Sequence, residues 1–271
     1  MSTADEAHGG TGRRYRLTLE YDGTDFLGFQ YLGEGRRSVQ GEVERAIERV
    51  TGRAVRVHGA GRTDAGVHAL GQVVHFDLDD HLEPRRLQGN LNGVLPKDVS
   101  VRRCVQVEAG FHSRFDATGR SYLYCIVNRS PRSALRGRFA WHMPGTLDLG
   151  RMRDAARLLV GTHDYAAFGR AARVELSTVR QVRRIAVRRW RGMVLVSIEG
   201  NAFLRHMVRA LVATLVQIGL GRMPVVEAGE ILASKDPDRC PAIAPAKGLC
   251  LMAVEYTGQR VVLAETKGMR K

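Results

Sequence analysis

The strand and helix patterns of this chain occur twice in the same order, and this repetition constrains its fold more than any other feature. Alternating apolar and polar residues indicate strands, whereas an apolar stripe spaced by three or four residues indicates a helix. The first half should contain a strand, a helix, two strands, a helix and a strand, at residues 15–21, 38–50, 55–58, 73–78, 83–93 and 99–107. The second half should repeat this order at residues 120–127, 147–160, 182–189, 194–199, 202–220 and 249–256.

Two β-α-β-β-α-β units predict an internally duplicated α+β protein, in which mostly antiparallel strands form a continuous sheet covered by helices. We expect one half over residues 14–110, a second over 111–258, and an active-site cleft between them. Residues 1–13 are polar and glycine-rich, which predicts a disordered tail, and residues 259–271 are expected to form a second tail. Coincidence is the alternative, because such short elements are easily overpredicted from one sequence, and residue identity between the halves is negligible.

The connection between the two middle strands of the first half has an unusual composition. Residues 59–69 read GAGRTDAGVHA, so one carboxylate, Asp64, stands among glycines and alanines that leave room for a large ligand. A structural role in a turn is the alternative for Asp64, because Thr-Asp-Ala-Gly suits a turn. A simple turn, however, requires neither three glycines nor the flanking Arg62 and His68. We interpret this segment as an active-site loop with Asp64 as its catalytic group.

The charge of the chain indicates the kind of ligand. Its 271 residues include 42 lysines and arginines against 28 acidic residues, a formal net charge of +14. This excess favours a polyanionic ligand. Nucleic acid is the first candidate, because basic surfaces gain affinity from displaced phosphate counterions. Arginines concentrate at residues 102–138 and 170–191, although any single arginine is more often a solvated surface residue. A basic cleft with one carboxylate suits an enzyme that acts on a single extruded nucleotide.

Other classes of protein fit the sequence poorly. The four cysteines, at positions 104, 125, 240 and 250, form no C-x-x-C pair, so we expect reduced thiols in a cytoplasmic protein without a zinc site. The longest apolar run, residues 210–220, is too short for a bilayer, which takes about 20 apolar residues. A metal-dependent hydrolase built on Asp64, His58 and His68 is a weak alternative, because the histidine spacing suits strand faces. We expect no metal, no cofactor and no membrane partner.

Six segments of the chain resemble motifs of the bacterial tRNA pseudouridine synthase A family. The most specific segment is the active-site loop with the strand that follows it, GAGRTDAGVHALGQVVHFD. The others occur in the order found in that family and together span nearly the whole chain: YDGTDFLGFQ, SVQGEVERAI, FHSRFDATGRSYLY, NAFLRHMVRALV and APAKGLCL. The chain departs from the family pattern at Phe29, where a tryptophan is common, and at residues 239–243.

The resemblance implies a reaction and a role for particular residues. It implies a tRNA pseudouridine synthase that isomerises uridine in the anticodon stem-loop, at tRNA positions 38–40, using one aspartate and no cofactor. Asp64 matches the essential aspartate, Arg209 the arginine that pairs with it, and Tyr122 the tyrosine that stacks on the target uracil. Arg62 matches the arginine that helps to displace the target base, and Leu249 an apolar residue of the uracil pocket.

The resemblance also implies partners. Because the related enzymes bind tRNA across two subunits, a homodimer that binds tRNA is expected. Arg62, Arg114 and Arg205 are expected to contact RNA phosphates. The alternative is a tRNA-binding module or RNA chaperone with little catalysis, which would need no carboxylate facing the RNA. The sequence leaves open whether Asp64 attacks the sugar, attacks the base or removes a proton from the ribose.

Overall fold

The first half of the chain contains the predicted elements in the predicted order. The computed structural model describes residues 12–171, 177–257 and 259–261. Six elements make up the first half: β1 (Arg13–Tyr21), α1 (Val39–Thr51), β2 (His58–Gly59), β3 (His68–Leu78), α2 (Pro84–Val94) and β4 (Val99–Val107). The main difference from expectation is the strand predicted at residues 55–58, which is reduced to the short β2.

The second half contains the predicted elements and several more. In chain order these are β5 (Ala117–Asn128), β6 (Trp141–Met143), α3 (Leu149–Leu158), β7 (Gly161–Asp164), β8 (Val179–Trp190), β9 (Met193–Gly200), α4 (Met207–Gly219), α5 (Glu227–Ser234), β10 (Leu249–Tyr256) and β11 (Gln259–Val261). Among these, β6, β7, α5 and β11 were not predicted. They are three, four, eight and three residues long, too short to produce a clear periodic pattern.

The strands form one sheet whose two halves have the same internal order. The main path runs β4-β1-β3-β10-β5-β9-β8-β7, and β2 pairs with β3. The first half is therefore ordered β4-β1-β3-β2 and the second β10-β5-β9-β8, with antiparallel neighbours throughout both sets. A parallel pairing of β3 with β10, at His68 with Cys250 and Ala69 with Leu251, joins the halves. The predicted duplicated and mostly antiparallel α+β fold is confirmed.

Helix α1 shows how local sequence sets the elements. The Ser38 hydroxyl accepts a hydrogen bond from the Gly41 N–H at 3.3 Å, which caps the amino end of the helix. Gly52 ends the helix with a φ of 69°, a left-handed conformation that suits glycine. Val43 and Ile47 bury the apolar stripe against the first half's core.

Helix α4 begins at Met207, five residues after the predicted start at residue 202. The preceding segment is held by two backbone hydrogen bonds between Arg170 and Arg205, at 3.1 and 3.3 Å. His206 then adopts a φ of 67°, which a right-handed helix excludes. The apolar character of this segment reflects burial of Leu204 in the core rather than helical structure.

Parts of both predicted tails belong to the sheet. Arg13 opens β1, and residues 259–261 form β11, which pairs with β10. Residues 1–11 and 262–271, like residues 172–176 of the second arginine run, lie outside the described residues. Among the helices that the structure describes, none has the length and apolarity needed to cross a bilayer.

Candidate active site

The loop that carries Asp64 connects β2 to β3 and is held tightly from one side. The Phe29 N–H donates to the Thr63 carbonyl at 3.0 Å, and the Tyr21 hydroxyl lies 2.8 Å from the Thr63 hydroxyl. Gly23 allows its backbone to lie still closer to the loop, because a Cβ atom at this position would lie 2.0 Å from the Val67 carbonyl oxygen. The segment after β1 therefore forms a rigid support for the carboxylate.

Asp64 forms an ion pair with Arg209, which reaches it from the other half of the chain. Arg209 Nη1 lies 3.0 Å from Asp64 Oδ2, with 17% of the arginine side chain and 27% of the aspartate side chain exposed. Arg209 Nε donates to the Ala244 carbonyl at 2.7 Å, so the guanidinium is fixed at two of its corners. The structure thus brings together two residues that are 145 positions apart in sequence.

Tyr122 and Leu249 lie on the neighbouring strands β5 and β10. Tyr122 is on β5 opposite Leu251 of β10, and its ring packs edge-on against Phe203 with centroids 5.3 Å apart. Burial raises the pKa of Tyr122 to about 12, and the charge of Asp64 acts in the same direction. Leu249, on β10 opposite Tyr124, is 5% exposed and packs in the second half's core. The structure therefore places the Tyr122 ring within electrostatic reach of the Asp64 carboxylate.

Arg62 and Arg114 are exposed arginines within electrostatic reach of each other. Partial burial, followed by the charge of Arg114, lowers the pKa of Arg62. No carboxylate in the described parts of the chain forms an ion pair with either guanidinium. Arg205 is also exposed, and its backbone pairs with Arg170. Two like charges held close together without an acidic partner favour an anionic ligand.

Sequence reasoning missed His206, the second group that faces Asp64. His206 Nε2 lies 3.6 Å from Asp64 Oδ2, and 34% of its side chain is exposed. Burial lowers the pKa of His206, and the nearby Arg209 opposes protonation, whereas Asp64 favours it. The sequence carried no signal for this contact, because it depends on the left-handed backbone conformation of His206 just before α4.

Sequence reasoning also missed the role of Arg120. This side chain donates four hydrogen bonds to backbone carbonyls and has no carboxylate partner within the described ranges. Two of its acceptors are Ala60, in the active-site loop, and Arg114, and a third is Asn201 at the end of β9. Arg120 therefore ties together segments that carry Arg62, Arg114 and the approach to α4.

The two histidines considered for a metal site have other partners. The His58 ring stacks on His75 with centroids 5.0 Å apart. His68 Nδ1 accepts from the Gly23 N–H at 3.0 Å, and His68 Nε2 lies 3.2 Å from the Arg138 carbonyl. In the described parts of the chain, no group of three or more histidine, cysteine or acidic side chains is arranged to hold a metal ion. The hydrolase alternative has no support in this geometry.

The fold and site together place one ion-paired carboxylate within electrostatic reach of an aromatic ring, in a chain with exposed arginines nearby. A family model described as tRNA pseudouridine synthase matches residues 18–116 and 155–257. The chain belongs to this tRNA pseudouridine synthase family, which confirms the resemblance found in its motifs.

Similar proteins extend over most of the chain. A tRNA pseudouridine synthase A of Brevibacillus brevis is 43% identical over 90% of this chain and 100% of its own length. One from Solidesulfovibrio magneticus is 45% identical over 90% of this chain and 91% of its own length. Among solved structures, an archaeal box H/ACA sRNP Nop10-Cbf5 complex matches distantly, with 12% identity over 75% of this chain and 44% of that chain, at a TM-score of 0.31.

Proposed function

We propose that this protein converts uridine to pseudouridine in the anticodon stem-loop of tRNA, at positions 38–40, with Asp64 as the catalytic group. The observation that carries the proposal is the 3.0 Å ion pair between Asp64 and Arg209, which spans the two halves of a pseudouridine synthase fold. A protein that only bound RNA would gain nothing from a carboxylate at this place, because it would repel phosphates.

The reaction is an isomerisation and needs no net oxidant or energy source. The bond from N1 of uracil to C1′ of the ribose breaks, the base turns, and a bond from C5 to C1′ forms. The proton on C5 is lost, and N1 gains a proton. Asp64 acts in its ionised form, as a nucleophile towards the sugar or base or as a base towards the ribose. Arg209 lies in direct contact with this carboxylate and holds it in place.

The side chains beside the ion pair suit a base that must turn. Tyr122 offers an aromatic face on which uracil stacks, and Leu249 supplies an apolar wall of the pocket. Small residues on both sides of Asp64, Ala60 and Ala65 among them, leave space for the rotation. In this proposal the pocket holds the base by stacking and shape, which permits the base to rotate between bond cleavage and bond formation.

Arg62, Arg114 and Arg205 bind the RNA backbone in this proposal. Extruding a uridine from the anticodon arm costs a few kcal/mol, and contacts with neighbouring phosphates offset this cost. Arg62 also enters the space left by the displaced base. Other arginines of the two runs have structural partners instead, for example Arg183, which lies 2.7 Å from Glu255. The RNA-binding arginines are therefore a subset of the two runs.

The proposal extends to assembly and location. We infer that the protein acts as a homodimer in the cytoplasm, with one tRNA held across two subunits, as the family resemblance implies. Light scattering on the purified protein tests this assembly, since a mass close to the 30.0 kDa of one chain would contradict it.

Release of tritium from tRNA that carries 5-tritiated uridine tests the function, because only loss of the C5 hydrogen frees the label. The wild type should release tritium without added metal or nucleotide. Asp64→Asn keeps the size of the side chain, removes its charge and should lower the rate by at least about 10³-fold. A folded wild type that binds tRNA but releases no tritium would support the binding-module alternative.

A salt titration tests the RNA contacts separately. Replacing Arg114 by glutamine removes one charge and should raise KM and reduce the dependence of binding on log[salt] by about one unit. Arg85→Gln is a matched control, because Arg85 is an exposed arginine on α2 of the first half. An unchanged salt dependence in Arg114→Gln would contradict the assignment.

A further inference from the structure

His206 combines an unusual backbone conformation with a position beside the catalytic carboxylate. Its φ of 67° lies in the left-handed region, and its side chain makes no capping hydrogen bond to α4. Non-glycine residues in this conformation are uncommon, and such local strain is concentrated at functional sites. The conformation directs Nε2 to within 3.6 Å of Asp64 Oδ2, close to the reacting groups.

The isomerisation requires a proton acceptor in its last step. Once C5 has bonded to C1′, its hydrogen must leave as a proton so that the electron pair of the C5–H bond restores the C5–C6 double bond. A positioned base accelerates such a transfer, typically by about 10²–10⁴-fold. This base must hold a free electron pair at neutral pH and must lie near the carboxylate.

Of the described titratable groups next to Asp64, His206 meets this requirement best. Arg209 has no free electron pair, because a guanidinium is always protonated. Tyr122 keeps its phenolic proton at neutral pH, since burial raises its pKa to about 12. Asp64 Oδ2 is already paired with Arg209 Nη1 at 3.0 Å. The His206 imidazole is the remaining nitrogen base.

The charges around His206 favour a neutral imidazole before the proton arrives. Burial lowers the pKa of His206, and three nearby arginines lower it further. They are Arg209 on α4, the adjacent Arg205, and Arg170, whose backbone pairs with that of Arg205. Asp64, facing it from the active-site loop, acts in the opposite direction and would stabilise the imidazolium that forms. One third of the side chain is exposed, which gives the accepted proton a route to water.

We propose that His206 is the general base that removes the proton from C5 of the rejoined base and passes it to solvent. The inference rests on the proposed function and adds a second catalytic residue to it. In this step the C5–H bond breaks, its electron pair closes the C5–C6 double bond, and an N–H bond forms on the imidazole. Water then takes the proton from the imidazolium, which restores the neutral base.

Two variants of His206 test the proposal on tRNA with hydrogen or deuterium at C5 of uridine. Asparagine tolerates a positive φ and stays polar but does not titrate in this range, so His206→Asn should fold and bind tRNA like the wild type. We expect kcat to fall by about 10²-fold or more and the C5 deuterium isotope effect on kcat to increase, because C5 deprotonation becomes rate-limiting. A decrease in kcat without a larger isotope effect would overturn the proposal.

Rescue of His206→Gly gives an independent test. Glycine suits the φ of 67° and leaves space for free imidazole. Added imidazole should restore activity in proportion to its neutral fraction, a result that a purely structural role would not produce. Failure of rescue together with an unchanged isotope effect would exclude His206 as the base.

The controls separate this inference from the proposed function. His81→Asn changes an exposed histidine beyond the far end of β3 and should retain wild-type kcat. If the wild type releases no label from 5-tritiated uridine, the proposed function fails. If the wild type is active and His206→Gly is equally active without imidazole, only the role of His206 fails.

Discussion

The β2–β3 connection of the first half and the β8–β9 connection of the second occupy equivalent places in the duplicated strand order, yet they differ in length and chemistry. Residues 60–67 separate β2 from β3, whereas Arg191 and Gly192 alone separate β8 from β9. Both residues of the short turn have positive φ, 47° and 75°, as a two-residue hairpin requires. The long connection carries Asp64, and the short one only reverses the chain.

The equivalent helices α2 and α4 differ in burial, and here the second half, rather than the first, carries the residue of the candidate site. Helix α2 of the first half buries Leu87 and Leu91 and leaves most of its surface to solvent, whereas α4 is buried on nearly all sides and has Arg209 as its one charged residue. One copy of the scaffold therefore supplies the carboxylate through a loop, and the other supplies its partner through a buried helix. The chemistry lies in these differences, because both copies share the fold.

Arg209→Lys should produce the largest effect of the changes that probe this division. The guanidinium contacts Asp64 and the Ala244 carbonyl simultaneously, and a lysine ammonium cannot occupy both positions. We expect kcat to fall by about 10²-fold, with tRNA affinity little changed. Arg222→Lys, at an exposed site after α4, is the matched control. Equal losses of kcat in the two variants would contradict a specific role for the two contacts of the Arg209 guanidinium.

Gly23→Ala should rank second, because it disturbs the support of the long connection. The new methyl group would lie 2.0 Å from the Val67 carbonyl oxygen, so the active-site loop must move. We expect a loss of about 2–3 kcal/mol in unfolding free energy and a clear decrease in kcat. Gly192→Ala, in the equivalent short turn, should cost about 1 kcal/mol because of its φ of 75° and should leave kcat unchanged. Denaturant unfolding and tritium release on both variants measure these effects.

The first half should also contain the principal acid-sensitive group. His75 packs against the rings of both His58 and His112, with centroids 5.0 and 4.7 Å away. Burial lowers the pKa of His75 to about 3, and His112, His58 and Arg14 act in the same direction, whereas Asp77 opposes them. Because the folded pKa is below the unfolded value of about 6.5, the neutral ring stabilises the fold fully above pH 6.5. This contribution is lost as the pH falls towards 3.

Unfolding free energy measured against pH tests the contribution of His75. It should fall by about 2 kcal/mol between pH 6.5 and 4.5 in the wild type. His75→Phe keeps an aromatic ring and should reduce this decrease, whereas His142→Phe, on β6 of the second half, should preserve it. The same pH dependence in all three proteins would disprove the assignment.

Arg191→Asn should have the smallest effect. Asparagine adopts positive φ more readily than arginine, which favours the variant, but the contact of the Arg191 guanidinium with the Trp190 ring, 5.1 Å away, is lost. We expect stability within about 0.5 kcal/mol of the wild type and unchanged tritium release. A loss of activity would show that the short turn takes part in function and would break the contrast between the two connections.

The sequence predicted the elements whose signals are local. The N-cap Ser38, the alternation in β1 and the apolar stripe of α1 each place an element within one or two residues of its position. The start of α4 was wrong because the pairing of Arg170 with Arg205 is a long-range contact. The parallel pairing of β3 with β10 was equally inaccessible, because no local pattern specifies a strand's neighbour.

The candidate site was predictable to the extent that its residues match family motifs. Asp64 stands out by composition alone, whereas Arg209, Tyr122 and Leu249 were selected by resemblance, and the structure brings Arg209 into contact with Asp64. The contact of His206 with Asp64 depends on a single left-handed residue, which sequence patterns do not reveal. The four carbonyl acceptors of Arg120 come from separate segments and are visible only in the folded chain.

The parallel pairing of β3 with β10 makes the candidate site dependent on the folding of the whole chain. Two residue pairs, His68 with Cys250 and Ala69 with Leu251, hold the strand register on which the meeting of Asp64 and Arg209 depends. During synthesis the first half, which carries Asp64, is complete before Arg209 has been added to the chain. Because β10 lies between β3 and β5 in the sheet, the meeting of Asp64 and Arg209 requires both halves of the chain.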